Sequence, residues 1–180
     1  MLKILIIHPE DNTTKFLSSI YEDIECTVIK DSNISSSKIK QAIKEHDIII
    51  MLGHGTESGL IDMSKNKIRY IVNSSLVYLL KDKQCICIWC NADKFVKKYK
   101  IKGFYTGMII SEVEEAYMCG IFNIEEREVE ESNILFSKVL REALQHRSFE
   151  KYMKTHYSSK NNPIIIYNSQ NIYQNTSIYI

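Results

Sequence analysis

Two residues stand where reaction chemistry would want them. His54 lies between Gly53 and Gly55, directly after the aliphatic run Ile48 to Leu52, and Cys90 directly follows a second apolar run, Cys85 to Trp89. A cysteine is nucleophilic as its thiolate, and a nearby imidazole can take the thiol proton and later deliver it to a leaving group. Asn91 to Tyr99 reads as a helix, so its partially positive first amides would sit beside the Cys90 sulfur and favour the thiolate. Glycine lets backbone approach a substrate closely, which makes the Gly55 and Cys90 amides candidate donors to an oxyanion.

Other chemistries have less support. Cys85-x-Cys87-x-x-Cys90 has the look of a metal motif, but Cys85 and Cys87 share one face of a strand and Cys90 lies beyond its end. No second Cys/His cluster completes a zinc set, so no metal is expected. Ser58 lies in Gly-Thr-Glu-Ser-Gly without the strand-to-helix elbow of a serine hydrolase, and Gly53 to Gly59 lacks a phosphate-loop ending. Both read as turn. No cofactor is implied. The basic stretch Lys94 to Lys102 and the acidic stretch Glu125 to Glu131 read as solvated helix faces.

The elements that must position His54 and Cys90 follow from the pattern along the chain. A chain of 180 residues with 44% hydrophobic and 25% charged residues reads as one globular domain, residues 1–180. A net charge of +1 favours neither nucleic acid nor an anionic membrane. No apolar run approaches the roughly 18 residues of a membrane span, and an odd five cysteines argue against a disulfide framework. A reducing, cytoplasmic setting is the expectation. Strands are predicted at Leu2 to Ile7, Glu25 to Ile29, Asp47 to Leu52, Cys85 to Trp89 and Gly103 to Ile110. Helices carry Phe16, Leu17 and Ile20; Ile39, Ala42 and Ile43; Ser74 to Leu80; Asn91 to Tyr99; and Glu128 to His146. A small hairpin turns at Lys65-Asn66 and returns through Ile68 to Ile71. Pro163 to Tyr167 and Ser177 to Ile180 read as strands joined by a polar connection, Asn168 to Thr176. Alternating strand and helix implies an α/β fold, a three-layer α/β/α sandwich with a mainly parallel sheet in flavodoxin-like order, whose sites form at the carboxyl ends of the strands.

The strand ending in Gly53-His54-Gly55, followed by a later strand ending in Cys90-Asn91-Ala92-Asp93, resembles the paired catalytic blocks of the caspase-like (clan CD) cysteine peptidases. The resemblance continues through Gly107 to Glu112, Ala116, Asn133, Phe136, Leu140 and Ala143-Leu144, and covers about residues 1–146. It implies a caspase-like fold and an endopeptidase or related thiol hydrolase that acts on a peptide or protein with a Cys90/His54 dyad and no third catalytic member. In this family the groups near the end of the first strand help to line the pocket for the residue before the scissile bond. Here that implies Glu10 and Asp11, suited to a Lys or Arg side chain, with His8 at the rim. Trp89 stands where family members carry a small residue, and it either crowds the site or points into the core. No processing loop follows the nucleophile, so no maturation step is carried over. The alternative reading is a non-enzymatic protein-binding module on the same scaffold, with Tyr167, Tyr173 and Tyr179 at an edge or partner surface. A phosphoacceptor receiver would need an Asp where His54 stands.

Overall fold

The computed structural model describes residues 2–9, 11–31, 33–63, 68–146 and 148–178. In chain order the elements are β1 (Ile4–Ile7), β2 (Thr27–Ile29), α1 (Ser36–Glu45), β3 (Ile48–Leu52), β4 (Gly55–Thr56), β5 (Gly59–Asp62), β6 (Arg69–Asn73), α2 (Val77–Leu80), β7 (Gln84–Ile88), α3 (Ala92–Tyr99), β8 (Gly103–Thr106), α4 (Val113–Met118), α5 (Glu126–Ala143), α6 (Phe149–His156), α7 (Pro163–Gln170) and β9 (Ile172–Gln174). The central sheet runs β2-β1-β3-β7-β8-β9, parallel except where β9 closes the edge against β8. Its parallel strands follow the wound order 2-1-3-4-5.

The aliphatic runs explain the layers. Successive side chains on a strand face opposite ways, and every residue of β1 and β3 is buried. Ile4, Ile6, Ile48, Ile50, Ile86, Ile88 and Phe104 enter one core with α5, α6 and the 3-10 turn Lys15–Ile20. Leu5, Ile7, Ile49, Met51, Cys85 and Cys87 enter the other with α1, α2, α3 and part of the small antiparallel sheet β4-β5-β6. Among the described residues no helix is long and apolar enough to cross a membrane.

Several elements differ from the sequence expectation. Pro163 to Tyr167 is the start of a helix: Asn162 caps α7 by accepting from the Ile164 and Ile165 amides, and Pro163 sits in the first turn where its missing N–H is harmless. The closing strand is β9, inside the stretch read as a polar connection, while Ser177 and Ile178 are irregular and Tyr179 and Ile180 lie outside the described residues. β8 ends at Thr106 rather than Ile110. The segment around Phe16 and Leu17 is a 3-10 turn, and α4 and α6 had no counterpart in the hydrophobic pattern. The predicted hairpin tip at Lys65-Asn66 lies outside the described residues; its strands are β5 and β6.

Candidate functional site

Parallel strands β1, β3 and β7 are neighbours, and their carboxyl ends deliver the predicted residues to one edge of the sheet. Leu52 pairs with Ile88, and the Gly53 amide donates to the Ile88 carbonyl at 3.1 Å, so the chain leaves β3 and β7 side by side. His54 and Cys90 then line one small cavity of about 30 Å³, walled by apolar groups including Phe16, Ile109 and Phe136. No hydrogen bond joins the two side chains among the contacts of the described residues.

His54 is braced from β1. Its Nε2 lies 2.6 Å from the Thr13 hydroxyl and 3.4 Å from Asp11 Oδ1. The Thr13 hydroxyl also donates to Asp11 Oδ1 at 2.6 Å. A hydroxyl has one proton, so with that proton on Asp11 the Thr13 oxygen accepts, and Nε2 of His54 is the donor. A neutral ring then keeps its lone pair on Nδ1, which no described residue hydrogen-bonds. Burial acts to raise the Asp11 carboxyl, but the Thr13 hydroxyl and amide together with His54 outweigh it and hold it below its ordinary value. Asp11 thus stands behind His54.

Cys90 departs from the expectation of an activated thiolate. Asn91 adopts φ of 66°, a left-handed turn that asparagine tolerates, and its amide donates to Gly107. The Cys90 thiol points toward the chain that follows β8, where it lies 3.5 Å from the Ile109 carbonyl and 3.9 Å from Glu115 Oε1. Burial, and next the Glu115 carboxylate, push this thiol up to about 12. The Cys90 amide has no hydrogen-bond partner among the described residues, which leaves it available as a donor.

Trp89 points into the core. It is 2% exposed, donates from Nε1 to the Thr56 carbonyl at 3.1 Å, and meets Phe95 edge-on. A Cβ on Gly55 would lie 2.0 Å from Cδ1 of this indole. Glycine is therefore required at 55 by the Trp89 ring, whatever its amide does.

The segment 109–115 that carries both acceptors of the thiol is fixed from two sides. Asn168 on α7, 1% exposed, accepts from the Ile110 amide at 2.8 Å and donates to the Ile110 carbonyl at 2.9 Å and to Tyr157 at 3.1 Å. It pairs with Ile110 as a neighbouring strand would. On the other side, Asn133 of α5 donates to the Ser111 carbonyl at 2.9 Å.

At the end of β1, Glu10 lies outside the described residues. His8 is buried, with its ring nitrogens 3.0 Å from the Tyr21 hydroxyl and 3.4 Å from that of Thr14. Burial, and then Lys30, lower His8 from 6.5 to about 4, against weaker opposition from Thr14 and Asp11. Between those values an unfolded chain binds a proton that the native ring refuses, so stability is full above pH 6.5 and declines as pH falls toward 4. Unfolding in urea should show a loss of about 3 kcal/mol across that window, and His8→Gln should remove most of it. An unchanged slope in the variant would assign the acid sensitivity elsewhere. The space here is about 120 Å³ and is bordered by Lys15 and Lys30 as well as Asp11. Negative charge collects instead along α4 and α5, where Glu112, Glu114, Glu126 and Glu130 border an open groove of about 610 Å³ that also touches Thr13 and Ser111.

Two residues escaped the sequence reading. Thr13 is one more hydroxyl in a turn, and Glu115 lies in a segment without periodic apolar residues; the spacing Ser111-x-x-x-Glu115 was the one available sign of a local hydrogen bond. All five cysteines are free, and Cys85 and Cys87 are buried in the second core. No protein-family model matches the chain, and no curated protein matches it.

Proposed function

We propose that the protein is a cysteine hydrolase of the caspase-like type, an endopeptidase or close relative, with Cys90 as nucleophile and His54 as proton carrier. The observation that supports it is that both residues line one cavity at the ends of neighbouring strands, and the hydrogen bonds of Thr13 favour the His54 tautomer whose Nδ1 can accept a proton. The Cys90 thiol gives its proton to His54, and the sulfur attacks the substrate carbonyl carbon. The resulting oxyanion is stabilised by the amides of Gly55 and Cys90. The tetrahedral adduct expels the amine, which takes the proton back from His54, leaving a thioester on Cys90. Water adds to that thioester with His54 as base, and the acid product leaves as the thiol is restored. Asp11 and Thr13 act through His54 as positioning residues.

Cleavage after a basic residue fits the acidic groove beside α4 and α5 better than the end of β1, where two lysines lie. A panel of fluorogenic peptides that vary only at the residue before the cleaved bond tests both claims. Hydrolysis that prefers Lys or Arg and disappears in Cys90→Ala is the expected result. Preference for Asp or Asn would overturn the basic assignment, and hydrolysis unchanged in Cys90→Ala would overturn the mechanism. The second reading, a non-catalytic binding module, is favoured by a thiol that is directed to the Ile109 carbonyl and Glu115 and not to His54, and would be supported by the absence of Cys90-dependent hydrolysis throughout the panel.

A further inference from the structure

We infer that Glu115 is a latch on Cys90: its carboxylate accepts the hydrogen bond of the thiol and keeps the sulfur from acting as a nucleophile until the segment 109–115 releases it. The inference rests on the reading of Cys90 as the nucleophile, and it names the group that governs it.

The geometry is specific. Glu115 is held by Ser111 through both the amide, at 2.7 Å to Oε2, and the hydroxyl, at 3.0 Å to the same oxygen. That leaves Oε1 aimed at the Cys90 sulfur, 3.9 Å away. The second acceptor of the thiol, the Ile109 carbonyl, belongs to the same segment. Both acceptors therefore arrive together on one stretch of chain, of which the Ile109 end is held in the core and the Glu115 end is carried by a short helix.

The electrostatics follow from the placement. A thiolate formed here would face a carboxylate across a low-dielectric gap, an arrangement that favours the neutral thiol. The other titratable groups near Cys90 do not reverse it. Cys119, just past α4, acts on Cys90 in the same sense as Glu115. Tyr167 on α7 is itself raised to about 12 by burial, then by Cys119 and Cys90. His54 shares the cavity, but its Nε2 is bonded to Thr13 and no hydrogen bond among the described residues joins it to Cys90. Glu112, the other carboxyl nearby, is raised by burial and then by Glu115.

The helix that carries the latch is a single short element. Ala116 packs inward, while Tyr117 and Met118 stand 47% and 84% exposed on its outer surface. Ala116 belongs to a small separate cluster, so movement of this helix that carries Glu115 away leaves Ile109 and both main cores in place. Ser111, which holds Glu115, borders the neighbouring acidic groove as well as the cavity of Cys90, so the latch and the groove share one wall.

The test is the rate of Cys90 alkylation by iodoacetamide from pH 6 to 11, read by mass spectrometry on the full chain in wild type, Glu115→Gln and Ser111→Ala. The buried Cys87 serves as internal monitor of general opening. The expected result is at least a tenfold faster Cys90 reaction near neutral pH in Glu115→Gln, with the midpoint of its pH profile moved down. Ser111→Ala should change both in the same direction by less, and Cys87 should remain slow. A Glu115→Gln profile that superimposes on wild type overturns the latch. So does an equal acceleration at every pH in step with Cys87, because loosened packing explains it. If Glu115→Gln does not fold, Ser111→Ala decides by the same criteria. Peptide hydrolysis by the same variants separates the two readings: a shifted alkylation profile without hydrolysis keeps the latch and removes the peptidase. Cys90-dependent hydrolysis with unshifted profiles does the reverse.

Discussion

Replacing His54 with alanine should lower kcat on the best peptide by roughly a hundredfold to ten-thousandfold, the usual contribution of a positioned acid–base group. The reason is its proton inventory. The Thr13 hydroxyl donates to Asp11 and accepts from His54 Nε2, so one hydroxyl fixes which ring nitrogen is free. Thr13→Val should therefore lower kcat by up to about a hundredfold without touching either reacting atom, because a mis-set ring no longer meets the thiol proton. Nitrogen NMR of the imidazole provides the separate reading: Nε2 should carry the proton in wild type and lose that preference in Thr13→Val. Wild-type turnover in His54→Ala would sink the assignment, and an unaltered tautomer in Thr13→Val would remove Thr13 from it.

Gly55→Ala should destabilise the fold by about 3 kcal/mol, at the upper end of what overpacking usually does. The added methyl would meet Cδ1 and Cγ of Trp89 at 2.0 and 2.4 Å and the Gly59 carbonyl oxygen at 2.8 Å. An indole that is 2% exposed and tied to the Thr56 carbonyl has little room to yield. Any movement of Trp89 also carries Cys90, its chain neighbour, so surviving activity should fall with stability. A double-mutant cycle with Trp89→Leu isolates the clash. Gly55→Ala should cost at least about 1 kcal/mol less once the indole is gone, since residues in contact are not additive. Equal costs in both backgrounds would show that glycine is needed at 55 for another reason.

The contrast between Gly55 and Cys90 shows how far the residues alone could be read. The aliphatic runs mark which segments become buried parallel strands, and glycine or polar residues after them mark where side chains emerge, so the placement of His54 and Cys90 at the carboxyl edge of the sheet is legible in the residues. What surrounds each side chain was another matter. Cys90 precedes a helix, as expected, but its sulfur environment is set by residues 109–115, which return from a different strand with Glu115 among them. The resemblance implies a substrate pocket at Asp11, and no sequence pattern announces that the turn carrying Thr13 also brings its carboxylate beside His54. Pro163 to Tyr167 has the composition of a strand. Its helix depends on the Asn162 cap and on Ile164 and Ile165 burying together, which no period-2 or period-3.6 count over five residues distinguishes.

Asn168 also has a bearing on when the site comes into being. It substitutes for a strand partner at Ile110, yet stands 58 residues further along the chain. During synthesis, β1, β3, β7 and the cysteine itself emerge from the ribosome well before the side chain that fixes the neighbouring segment. Contacts of such long sequence separation form late because loop closure must precede them. The nascent polypeptide therefore carries both His54 and Cys90 for an interval in which their surroundings are unfinished, and the mature arrangement is a property of the last stage of folding.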